Sequence, residues 1–248
     1  MPLQFPTRAE RPGSQPHAPS LTERGIWPEF LYHDPVLERL LGRVMSEDPE
    51  FQFYAWDDER EQVVGVGMAV PATWAGDPAG LADGGLDAVV EARFADGASE
   101  PNVLCALQIL IAAEYRAQGL SSRMIVRMAE IGRDHGLGTL IAPVRPTLKH
   151  LYPLTEMQRY IDWRRADGTH FDPWLRTHER LGAEIVKVAT HSSTIPGSVA
   201  EWEQWAQMEF PETGTYVVPG ALVPVEIDRE RDEGIYVEPN VWMVHPAG

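Results

Sequence analysis

The residues most able to do chemistry lie in and just after one apolar stretch. Val103 to Ile111 is a continuous apolar run broken only by Gln108. It is followed by Ala112-Ala113-Glu114-Tyr115-Arg116-Ala117-Gln118-Gly119-Leu120-Ser121-Ser122. A buried strand that feeds a Gly-containing turn and a helix N-terminus can hold an anion, because the first N–H groups of a helix lack internal partners. Gly119 admits a phosphate close to the main chain. Ser121 is small and can donate one more hydrogen bond. Leu120 anchors the helix to the core. Arg116 adds charge, although the backbone would do most of the binding. Gln108 is the one polar residue of the strand and must find a partner, either a neighbouring backbone group or a substrate. Glu114 has the charge of a base, while its place in the loop favours exposure. Cys105 is the single cysteine. In an apolar strand it is expected to be inert.

Other chemistries lack their signatures. His150, His170, His178 and His191 show neither i, i+4 spacing nor zinc-like clustering, so no metal site is expected. There is no Gly-x-Ser-x-Gly elbow and no Walker pattern. Gly65-Val66-Gly67 lacks the third glycine and a following helix. It therefore fits a strand with close backbone approach better than a dinucleotide loop.

The surrounding elements can be read from periodicity. His33-Asp34-Pro35 starts a helix, with Asp34 as N-cap and Val36, Leu37, Leu40, Leu41, Val44 and Met45 at helical spacing. Residues 51–56 and 62–70 read as a hairpin closed by a polar turn. Residues 71–85 form a long loop and residues 86–94 a short helix. Leu120, Met124, Ile125, Met128 and Ile131 give the helix after the turn its apolar face, with Gly136 as its stop. Residues 139–144 form a further strand, which Pro143 makes irregular or places at an edge. A helix over residues 173–181 ends at Gly182, and residues 185–190 form a strand. Ser198-x-x-Glu201 is a capping box opening another helix. Four strand-like pieces follow, at 215–218, 222–227, 235–237 and 241–244. The order predicts a mixed α/β (α+β) domain with a single core.

With 248 residues and 44% hydrophobic content, the chain suits one large domain. Residues 1–25 are polar and Pro-rich, and are expected to be a mobile or loosely packed arm. The remainder, 26–248, is read as one domain, with a β-rich extension over 196–248. No apolar run of transmembrane length occurs and the N-terminus does not look secretory, so the cytoplasm is the expected compartment and no membrane partner is expected. The formal charge of −16 disfavours nucleic acid. The acidity serves solubility or attracts a cationic amine.

Arg116-Ala117-Gln118-Gly119-Leu120-Ser121 resembles the pyrophosphate loop of the GNAT superfamily of N-acetyltransferases, whose pattern is Arg or Gln, two residues, Gly, one residue, then Gly or Ala. Ser121 departs from it by one small side chain. His178-Glu179-Arg180-Leu181-Gly182-Ala183 is similar to the family's late helix-to-strand element, usually Tyr, three residues, Gly, Phe. Gly182 matches; His178 stands where Tyr is usual and Ala183 where Phe is usual. The resemblance covers about residues 30–195. It implies a mostly antiparallel central sheet flanked by helices, with splayed central strands. It implies acetyl-CoA or another acyl-CoA as cofactor, bound by Ile111, Ala112 and Ala113 at the strand end and by Arg116, Ala117, Gln118, Gly119, Leu120, Ser121 and Ser122. It also implies a free backbone N–H near Ile111 that polarises the thioester carbonyl. His178 becomes the proton donor to the leaving thiolate, and Glu114 a base.

Residues 146–173 are longer than the family's usual connection at this point, and the Asn typical of the helix start is not evident. The segment interleaves Tyr152, Tyr160, Trp163 and Phe171 with Lys149, His150, Arg159, Arg164 and Arg165. It is read as a substrate lid in which Tyr152, Tyr160 and Trp163, with Gln108, meet the acceptor. A subdomain covering a sheet edge, or a partner-docking surface such as a homodimer contact, would suit the same residues. The expected activity is acetyl transfer to a small-molecule amine in a ternary complex. The alternatives are a non-catalytic acyl-CoA-binding module and a GNAT-like protein acting on a carrier-bound acyl thioester.

Overall fold

The computed structural model describes residues 3–12, 16–22 and 26–246. In chain order the elements begin with β1 (Leu3–Gln4), α1 (Pro19–Thr22), α2 (Pro35–Glu47), β2 (Phe53–Asp57) and β3 (Gln62–Ala72). Next come α3 (Gly85–Arg93), β4 (Val103–Ile111), α4 (Leu120–Asp134), β5 (Thr139–Val144), α5 (Met157–Tyr160) and α6 (Pro173–Arg180). The last are β6 (Glu184–Gly197), α7 (Val199–Ala206), β7 (Gly214–Tyr216), β8 (Val225–Asp228) and β9 (Glu233–His245). All nine strands join one sheet in the order β1-β2-β3-β4-β5-β9-β8-β7, with β6 on the other side of β9. Every pairing is antiparallel except β4 with β5.

Local signals set most helix ends. Asp34 accepts from the N–H groups of Val36 and Leu37 and starts α2, with Pro35 in its first turn. Ser198 and Glu201 form the reciprocal capping box of α7. Gly136 (φ +76°) and Gly182 (φ +85°) close α4 and α6. In α6 the N–H of Ala183 returns to His178 O and that of Gly182 to Glu179 O, the pairing of a left-handed C-terminal stop.

Two faces of the sheet carry separate packing. On one, Leu104, Ala69 and Phe53 pack under Met124, Ile125 and Met128 of α4. On the other, Met68, Val70, Cys105, Ile141 and Trp242 pack under Val36, Leu40 and Val44 of α2 and Val90 of α3. Alternation along each strand assigns its side chains to one face or the other.

Four expectations change. Of residues 1–25, numbers 1, 2, 13–15 and 23–25 lie outside the described residues. The others are docked: β1 pairs with β2, His17 bridges Val63, and Arg127 donates to Phe5 O. Edge backbone of β2 and β3 would otherwise be left unpaired, and this segment covers it. Pro143 lies in an interior strand, paired with Trp242 of β9. By that point β4 has left the other side of β5, so the proline stands at a local edge. The two last tail strands are one, β9, running through Pro239. It is not an extension: β9 lies between β5 and β6 at the heart of the sheet.

Residues 146–173 also differ from a lid. Tyr152, Tyr160, Trp163 and Phe171 pack on one another, with ring centroids 4.8–6.2 Å apart. Asp172 pins the segment, accepting from Leu148 N, Tyr160 OH, Trp174 N and Leu175 N. Lys149 is fully buried and donates to Tyr152 O and Leu222 O. Burial there lowers its pKa to about 8.

Candidate active site

The site is a gap between two parallel strands. β4 and β5 pair only through Val103, Leu104 and Cys105 opposite Thr139, Leu140 and Ile141. From Ala106 onward β4 pairs with β3 alone, and Ala142 to Val144 pair with β9 alone. Burial follows the parting: Val103, Leu104 and Cys105 are buried, whereas residues 106–111 are all half-buried. A bulge sits at the vertex, since Ala106 and Gln108 face consecutive residues Ala69 and Met68 and leave Leu107 without an opposite.

The splay frees backbone donors. Ala112 N–H donates to Val64 O, so residue 112 faces β3 and, by alternation, Ile111 faces away. The Ile111 carbonyl does so, accepting from Arg116 Nε at 3.0 Å. The N–H of Ile111, and that of Ile109 two residues before it, therefore points into the gap.

The loop after β4 opens onto α4. Tyr115 ties it to β2 by donating to Asp57 and holding that carboxyl below its usual range. Ala117 (φ +58°) and Gly119 (φ +76°) take left-handed conformations, which turn successive N–H groups toward one side. No side chain caps α4, and its leading N–H groups have no acceptor among the described residues. A Cβ on Gly119 would meet nothing within 4 Å. The uncapped donors and the open space above Gly119 fit a pyrophosphate.

α6 stands across the gap on the same face as α4. Trp174 packs against both the α4 cluster and the cluster beneath α6, and His178 lies against it, ring centroids 4.6 Å apart. His178 is 3% exposed. Its Nδ1 lies 2.9 Å from Nε2 of His245. One ring of the pair donates to the other, and the buried Nε2 of His178 has no partner among the described residues. Burial, with the neighbouring His245, lowers the His178 pKa to about 3. A ring that burial keeps neutral argues against the proton-donor role expected for His178.

The other expected residues divide. Glu114 is exposed, accepts from Ser20, and has its pKa lowered by that bond. An exposed carboxylate held in its ionised form is a weak base, which argues against that role. Burial pushes the Cys105 thiol above its ordinary range, which keeps it inert. Tyr160 is fully buried with its hydroxyl on Asp172, and Tyr152 and Trp163 pack into the same cluster, so the structure does not bring these three to the gap. Gln108 is at the gap. It lies opposite Met68, on the α2/α3 face, and its amide makes no hydrogen bond among the described residues. A separate cavity of about 360 Å³ under α3, lined by Pro71, Leu81, Ala92 and Trp242, lies at the other end of β3 and β4 from the loop. It holds none of this chemistry.

No family model matches the chain. An arginine N-acetyltransferase, avaD of Aspergillus versicolor, is 30% identical over 250 aligned residues, covering 89% of this chain and 85% of that protein. The chain belongs to the GNAT superfamily of N-acetyltransferases. Among solved structures, the loading GNATL domain of CurA from Lyngbya majuscula has a TM-score of 0.58 at 15% identity, covering 100% of this chain and 98% of that one. The GNAT-like decarboxylase GphF, in complex with isobutyryl-CoA, has a TM-score of 0.51 at 16% identity over 84% of each chain. Both share the fold. As a GNAT enzyme the protein is an acyltransferase that takes an acyl-CoA, and the loop and gap have the features such a donor needs.

The GNAT motifs left five residues unread. Arg145, just past β5, donates from Nε to both Glu238 oxygens at 3.0 and 2.9 Å and from Nη2 to Gly220 O at 2.7 Å. Tyr236 and Asn240 also donate to Glu238. His245 completes the pair with His178. Their only signal was polarity inside apolar strand sequence, which names a buried network without saying what it faces.

Proposed function

We propose that this GNAT enzyme transfers an acetyl group from acetyl-CoA directly to the amine of a small molecule, both being bound at once. The observation that carries this reading is the splayed β4/β5 pair leading into an uncapped helix N-terminus. When bound, acetyl-CoA supplies an activated carbonyl and a thiol leaving group. The N–H groups of residues 117–122 bind and orient the pyrophosphate. The Ile111 N–H stabilises negative charge on the carbonyl oxygen, from a fixed position in a half-buried gap. Trp174 walls the gap from the α6 side. An inert Cys105 removes a covalent acyl-enzyme route.

The amine reaches the gap from the α2/α3 face, where Gln108 has hydrogen-bonding capacity to spare. The arginine acceptor of the similar Aspergillus protein makes an amino acid the first acceptor to try. Thiol release from acetyl-CoA should depend on an added amine, with the acetylated amine found by mass spectrometry. Acetyl-CoA binding with no release for any amine would contradict the proposal and leave a binding module. Transfer only to the thiol of a carrier protein would replace the acceptor class.

A further inference from the structure

The end of β5 carries a second half of the site. Continuing the β4/β5 register beyond Cys105 and Ile141, with the extra residue of the Leu107 bulge allowed for, sets Arg145 level with Leu110, across the open gap. Arg145 lies on the α2/α3 face by alternation from Ile141, the same face as Gln108. Its side chain is 17% exposed. The guanidinium is held from behind. Nε is fixed on Glu238, Nη2 on the Gly220 carbonyl, and the ring of Trp27 lies 5.9 Å from its carbon. Glu238 is fixed in turn by Tyr236 and Asn240, and Asn240 by Ser192, which also caps the Leu86 N–H. Tyr236 is a further partner beside the guanidinium. A pre-oriented guanidinium with N–H groups beyond these partners, on the same sheet face as an amide with no hydrogen bond among the described residues, is built to receive a planar anion.

We propose that Arg145 binds a carboxylate on the acceptor, so that the preferred substrates are amines bearing a carboxylate, that is, amino acids, with Gln108 bonding the polar group beside the reacting amine. This rests on the acyltransferase reading and adds the acceptor's chemical class. Each amine is expected to be preferred over its decarboxylated counterpart on the order of ten- to a hundredfold, as one charge-assisted bond provides.

The test pairs L-amino acids with their decarboxylated amines: arginine with agmatine, lysine with cadaverine, tryptophan with tryptamine, tyrosine with tyramine. Each pair is read twice on the full chain, by kcat/KM for thiol release and by calorimetric binding to the CoA-loaded protein. Arg145→Gln alone strands Glu238, so the informative variants are Arg145→Lys and the double variant Arg145→Gln/Glu238→Gln, each checked for fold by its CoA affinity. The expected result is a carboxylate preference in the native protein, retained in part by Arg145→Lys and collapsed toward unity in the double variant. Equal treatment of every pair, no binding of any carboxylated member, or a preference unmoved by the double variant would overturn the proposal. Carboxylate-selective binding without thiol release would support Arg145 and sink the acyltransferase step instead.

Discussion

Gly119 and Gly136 share φ +76° and the same open space where a Cβ would go, but they stand at opposite ends of α4. Replacing either with alanine forces a side chain into the left-handed region, at about 1 kcal/mol of stability. Only Gly119→Ala should also weaken acetyl-CoA binding, by roughly tenfold, or about 1.4 kcal/mol. Urea unfolding and calorimetry on the two variants check this, and equal loss of affinity in both would count against the loop. At His178 the sign follows from the depressed pKa values, about 3 there and about 4 at His245. The unfolded chain binds protons near 6.5, so this pair's stabilisation is full above that pH and is lost as pH falls toward 3. Stability should drop below about pH 6.5, and His178→Phe should flatten that drop in urea titrations at pH 4 to 7. Gly119 and His178 were both legible from motif spacing. The burial of His178 was not, because the ring it pairs with lies 67 positions away.

At the scale of elements, Asp172 joins the long insertion to α6. Its carboxylate serves a loop N–H, a buried tyrosine hydroxyl and two N-cap N–H groups. Asp172→Ala leaves Tyr160 and Leu148 N without acceptors and should cost about 3–5 kcal/mol, read by thermal or urea unfolding. A cost below 1 kcal/mol would mean the insertion is not held this way. The elements were readable where the signal is local: the Asp34 cap, the Ser198 capping box, the apolar stripe of α4 and the two glycine stops. They were misread where partners decide. The aromatics of residues 146–173 carry no mark that says whether they pack on a ligand or on each other. The β4 bulge at Leu107 depends on β3, and nothing in the run from Val103 to Ile111 announces it.

Across the whole molecule, β9 is the longest-range feature. It contacts β5 and β6 along one half and β6 and β8 along the other, so the end of the chain completes a sheet begun at Leu3. Truncation before Glu233 should abolish cooperative unfolding, seen by near-ultraviolet circular dichroism and calorimetry. A truncated chain that still unfolds cooperatively would show the sheet to be complete without it. Sequence proximity hid this arrangement, since a tail of short strand-like pieces looks like an appendage until its partners are known. The same insertion of β9 supplies Glu238, Asn240 and His245, which hold both halves of the gap in place. The central claim is that an acyl-CoA sits in that gap against residues 109–122. Amide hydrogen exchange with and without CoA tests it most directly. Protection should concentrate on the amides from Ile109 to Ser122; protection confined to other segments, such as the cavity under α3, would contradict the account.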